Sequence, residues 1–135
     1  MSLHNHSIIA VDFDGTIVTD KYPKIGPPQL FAFETMKKLQ NQGHRLILWT
    51  VRTGSKLDEA VAFCKKNGIE FYAINQNYPE EILDDKTARK IYADIFIDDR
   101  NVGGFIGWGK VHHHFFGEEG LIKEKGKGFF SFFKK

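Results

Sequence analysis

The stretch IIAVDFDGTIVTD (8–20) decides how the chain is read. Ile8 to Val11 form a continuous apolar run, the pattern of a strand covered on both faces of a sheet. The run stops at Asp12, and Asp14 follows after one phenylalanine. One carboxylate at a strand end is ordinary turn chemistry. Two of them beside a hydrophobic core are costly unless a cation or a shared proton offsets the charge.

Similar segments recur along the chain. HRLILWT (44–50) predicts a second strand ending in a hydroxyl, and IEFYAIN (69–75) a third. ADIFIDD (93–99) predicts a fourth, again ending in paired aspartates. Between them, apolar spacing predicts a helix over 27–42, stopped by Gly43. A second helix runs from a Ser55 cap to Lys66, and a third from Pro79 to about Lys90. Strands alternating with helices imply an α/β domain: a Rossmann-like, three-layer arrangement with a mostly parallel central sheet and helices on both faces. Right-handed crossovers then bring all strand carboxyl ends to one edge, where such sheets bind ligands. Asp12, Asp14, Thr50, Asp98 and Asp99 therefore belong on a single rim.

Bulk properties narrow the function classes. A chain of 135 residues with 41% hydrophobic and 27% charged residues suits one soluble core. A net charge of +2 argues against general nucleic-acid or membrane binding. No apolar run reaches a membrane span and no signal peptide is visible, so the expected compartment is the cytoplasm. The single cysteine, Cys64, sits in a helical pattern and reads as a small core residue.

Clustered carboxylates at a rim call for a hard cation, and Mg2+ is the natural candidate, completed by waters and a substrate phosphate. Thr50 offers the phosphate a hydroxyl, and Thr53-Gly54-Ser55 a helix N-terminus. VDFDGT, LILWT and KIYADIFIDD, in that order over residues 8–99, resemble the motifs of the haloacid dehalogenase (HAD) superfamily of phosphotransferases. The resemblance implies a HAD-like, magnesium-dependent phosphatase that hydrolyses a phosphate monoester through an aspartyl-phosphate. Asp12 would be the nucleophile and Asp14 the general acid and base. Thr50 and Lys90 would bind and neutralise the phosphoryl group, with Arg52 as a further phosphate contact. The metal site would draw on Asp12, Asp98 and Asp99, and on Asp14 through its backbone carbonyl. Lys86 competes with Lys90 for the lysine role, and Asp98 and Asp99 for direct ligation.

Neither gap between motifs has room for a folded insertion, so no cap domain is expected. TDKYPKIGPP (19–28) reads as a flap loop, with Tyr22 and Lys24 facing the substrate. An open site suits a phosphorylated small molecule or macromolecule, or cover by a homo-oligomeric partner. The catalytic domain is assigned to residues 1–111, and 112–135 to a basic-aromatic tail packed on the domain or on a partner. GKVHHHFF (109–116) reads as a solvated edge strand rather than a metal site. The competing reading from another class is a catalytically weak binding or assembly module that uses the phosphate pocket for recognition.

Overall fold

The computed structural model describes residues 6–82 and 91–117. Four strands, β1 (Ile8–Val11), β4 (Arg45–Leu48), β5 (Ala73–Ile74) and β6 (Ile95–Ile97), form a parallel sheet in the order β5-β4-β1-β6. Two further strands, β2 (Val18–Lys21) and β3 (Lys24–Pro28), form a separate antiparallel hairpin. The helices are α1 (Ala32–Asn41), α2 (Gly54–Lys66) and α3 (Trp108–Phe116).

The apolar runs explain the sheet. In β1, Ile9, Ala10 and Val11 are all buried, and the ladder pairs Val11 with Leu48 on one side and Ile97 on the other. Side chains then divide by parity, as the strand period of two requires. Ile9, Val11, Leu46 and Leu48 join the main core with Met36 and Leu39 of α1, Ala60 and Cys64 of α2, and Trp108 and Val111 of α3. Ile47, from the opposite parity, forms a second cluster with Ala73 and Ile91. All three described helices contribute to the first cluster.

Cys64 is fully buried, and burial pushes its thiol up to about 12, which suits a core residue. The third expected strand is short, because only Ala73 and Ile74 pair with β4. The expected third helix lies mostly outside the described residues; Pro79 stands in a turn.

Several expectations are corrected. The flap is a hairpin rather than a loop, with Asp20 opposite Ile25 and Lys21 opposite Lys24. A two-stranded ribbon leaves each strand one free edge, so Pro27 and Pro28 can be accommodated although they donate no ladder bond. Gly26 passes so close to the Thr19 carbonyl that a side chain there would overlap it. Because those prolines belong to β3, α1 begins at Ala32, not at residue 27. Helix α2 begins at Gly54 behind Thr53, which takes the N-cap place expected of Ser55.

GKVHHHFF, expected as an edge strand, lies in α3. Val111 and His112 are buried against the domain, whereas His113 and His114 are exposed. Their mean spacing around the helix, about 100° per residue, points the three histidines in different directions. His112 Nε2 lies 3.2 Å from Lys38 Nζ on α1, and its ring packs on Phe116. The expected boundary at 111/112 thus falls inside a packed helix, and residues 112–116 belong to the domain. Residues 118–135 lie outside the described residues.

Trp108 locks α3 to the motif loop. It is buried, and its Nε1 donates to the Thr16 carbonyl at 2.7 Å. Replacing Trp108 with Phe removes that donor and opens a void. We expect a loss of about 2–4 kcal/mol in urea unfolding, the sum of an unpaired carbonyl and a small cavity. A loss under about 0.5 kcal/mol would show that the bond to Thr16 contributes little.

Candidate functional site: an aspartate trio beside a buried arginine pair

The first aspartate stands one residue past β1. Asp12 N donates to the Ile97 carbonyl at 3.0 Å, which carries the ladder one step beyond the strand. On the neighbouring strand, Ile97 is followed at once by Asp98 and Asp99. Parallel pairing therefore brings both strand ends together. Carboxylate oxygens of Asp12, Asp98 and Asp99 lie within 4.8 Å of one another.

Local bonds orient each member. Thr16 Oγ1, fully buried, donates to Asp12 Oδ2 at 3.3 Å. Arg100 N donates to Asp98 Oδ1 at 2.8 Å, and Asn101 Nδ2 to the Asp98 carbonyl at 2.7 Å. Among the described residues, Asp99 Oδ1 is buried with no hydrogen-bond partner. An orphaned oxygen on a carboxylate grouped with two others is costly by itself and fits a hard cation. The electrostatics agree: burial, the charge of Asp98 and a hydrogen bond with Asp99 push the Asp12 carboxyl from 3.8 up to about 7.

Gly15 makes room for the trio. Its φ is +87°, and a Cβ there would overlap the Asp99 carboxylate, lying 2.9 Å from Cγ. The glycine of the DG pair is thus required both by its backbone and by Asp99.

Asp14 does not join the trio. Its Oδ2 accepts from Arg52 Nε at 2.7 Å and its Oδ1 from Nη2 at 2.8 Å, a bidentate pair with the arginine fully buried. This corrects the expectation for Arg52. Its guanidinium is taken up by Asp14 rather than open to a phosphate; the remaining N–H groups bond to the carbonyls of Lys24, Lys56 and, at 3.5 Å, Pro23. The same pair holds the Arg52 pKa above its usual value. Tyr22, expected at the substrate, has its ring 5.0 Å from the guanidinium carbon.

Thr50 stands past β4. Its Oγ1 accepts from Arg52 N at 3.1 Å, which leaves the hydroxyl proton to be donated elsewhere. Its own N–H donates to Asn75 Oδ1 at 2.8 Å. Asn75, which the sequence reading passed over, sits at φ +55°, a conformation asparagine tolerates better than most residues. Lys86 and Lys90 both lie outside the described residues.

A solved structure of a conserved protein from Bacteroides thetaiotaomicron is 52% identical, over 87% of this chain and 95% of that one, with a TM-score of 0.78. The chain belongs to the same family as that protein. No protein-family model matches the chain, and no curated protein does.

Two outcomes follow from the trio. A folded Asp12 that holds its proton to about pH 7, against 3.8 when unfolded, favours the fold in acid. That advantage is lost as pH rises from about 4 to 7, so in EDTA at pH 8 Asp12→Asn should raise stability. The gain is on the order of 1–2 kcal/mol, since solvent screens part of the repulsion, and it should vanish below pH 4. Calorimetry across that range checks it; a gain independent of pH would contradict the cause given. Gly15→Ala should cost at least about 1–2 kcal/mol in chemical denaturation, because positive φ and the Asp99 contact act together.

Proposed function

We propose that the protein is a magnesium-dependent phosphatase of the HAD superfamily, acting on a phosphate monoester. The observation that carries this reading is the trio of Asp12, Asp98 and Asp99 with its orphaned Asp99 oxygen, with Thr50 past the end of the neighbouring strand β4. All ligands in the trio are carboxylate oxygens, the donor type a magnesium ion prefers. Asp12, Asp98 and Asp99 would hold the ion, joined by the Asp14 carbonyl. Its charge would offset those of the carboxylates and of the phosphoryl group.

The residues then divide the chemistry. An Asp12 oxygen attacks phosphorus, and the bond to the leaving oxygen breaks. Asp14 gives that oxygen a proton, later takes one from the attacking water, and the aspartyl-phosphate is hydrolysed back to Asp12. Thr50 donates its hydroxyl to a phosphoryl oxygen, and Lys90 neutralises charge on the nucleophile and phosphate. Such catalysis is mostly positioning and charge compensation.

The finer architecture belongs to the same reading. A further helix would cover the sheet face of Ile47 and Ala73, giving three layers. The hairpin and α1 take up most of residues 15–49, which supports a site without a cap. Such a site would admit a phosphorylated small molecule or macromolecule, or be covered by a second copy of the chain. No described helix is long and apolar enough to cross a membrane, and the compartment we assign is the cytoplasm.

One observation favours a second reading, a binding module with negligible turnover: both Asp14 oxygens are already bonded to Arg52. Hydrolysis of 4-nitrophenyl phosphate separates the two. We expect turnover that needs magnesium, stops in EDTA, and falls at least ~10³-fold in Asp12→Asn and ~10²-fold in Asp14→Asn. Wild-type-like turnover in Asp12→Asn would overturn the nucleophile. Magnesium and phosphate binding by calorimetry, with no turnover of a broad ester panel, would establish the binding module.

A further inference from the structure

A fully buried arginine at a functional rim needs a reason, because such residues are rarely buried without complete pairing. Arg52 has five N–H groups, and all are engaged. Two hold the Asp14 carboxylate, one the Lys56 carbonyl in the first turn of α2, and two the Lys24 and Pro23 carbonyls at the hairpin turn. The guanidinium carbon lies within cation–π reach of two rings, 5.1 Å from Phe13 and 5.0 Å from Tyr22. One side chain thus joins the motif loop, the start of α2 and the turn of the β2–β3 hairpin.

We infer that Arg52 is a positioning residue that couples the hairpin to Asp14, so that the Asp14 carboxylate turns toward the Asp12 group only when the hairpin shifts. The inference rests on the phosphatase reading for its consequence in turnover, but not for the coupling itself. Both Asp14 oxygens are spent on Arg52, and Asp14 stands outside the trio although it is two residues from Asp12. Turning it breaks two charge-assisted bonds and strands a buried cation. With the hairpin in place, the guanidinium is dry and the pair is strong. A displaced hairpin withdraws Tyr22 and two carbonyls, admits water to the guanidinium, and weakens its hold on Asp14. By linkage, whatever draws Asp14 away loosens the hairpin by the same free energy. A lysine cannot substitute, since its three donors lack the planar fork that binds a carboxylate and two carbonyl groups at once.

Hydrogen exchange on the full chain tests the coupling without any substrate. Asp14→Asn removes the charge that anchors Arg52. Amides of residues 18–28 should then exchange at least ~10-fold faster, while those of β1 and β4 keep their wild-type rates. Unchanged hairpin exchange in Asp14→Asn overturns the proposal. Kinetics with 4-nitrophenyl phosphate and magnesium test the consequence: Arg52→Lys, which holds Asp14 less firmly, should raise kcat at least ~3-fold and leave KM within about twofold. An unchanged or lower kcat overturns the positioning role. If the wild type itself turns over no ester, the phosphatase reading fails, and the exchange result alone decides whether Arg52 couples the hairpin to Asp14.

Discussion

Parallel pairing of β1 with both β4 and β6 is the constraint on which everything else depends. It sends three strand ends to one edge, in register, with Val11 opposite Leu48 and Ile97. Residues that follow those positions have no choice of neighbourhood. Asp12 meets Asp98 and Asp99, and Thr50 stands on the other flank. Reversing one strand would carry its polar end to the opposite edge and disperse the trio. The apolar runs enforce the pairing, since a buried strand must satisfy its backbone groups within the sheet.

The same short motif holds two aspartates with opposite electrostatic situations. Asp12 faces like charges, is partly desolvated, and has its carboxyl pushed up to about 7. Asp14 faces a buried guanidinium that satisfies both its oxygens. One is a carboxylate among like charges, and the other is paired with a cation. Phe13 between them is fully buried, with its ring 5.1 Å from the guanidinium carbon. The trio is left with like charge that no side chain offsets among the described residues, whereas the pair is balanced.

Much of the sheet was legible because strand signals are local. Four apolar runs predicted four strands, and all four occur, though the third is reduced to Ala73–Ile74. Helices α1 and α2 were legible from their spacing and glycine stops. The hairpin was not, because Pro27, Pro28 and Gly26 argue locally for a loop, and only the partner strand shows how they are accommodated. Helix α3 was misread for a related reason. Three histidines between aromatic residues carry no clear period, and contact with α1 through Lys38 and His112 selects the helix face. Burial of Trp108 against the Thr16 carbonyl spans 92 residues of sequence, beyond the reach of any local pattern.

The amino-acid sequence by itself determined which residue types would stand at the strand ends: carboxylates after β1 and β6, a hydroxyl after β4. It could do so because burial patterns mark where each strand stops. Only the tertiary structure decided how those groups divide. It joined Asp12 to the residues 98–99 loop and turned Asp14 to Arg52, 38 residues away. It also placed Asn75 under Thr50 and Gly15 against Asp99. The physical reason is that charge and hydrogen-bond partners are chosen through space at short range, by whichever donors and acceptors the packed chain brings within about 3 Å.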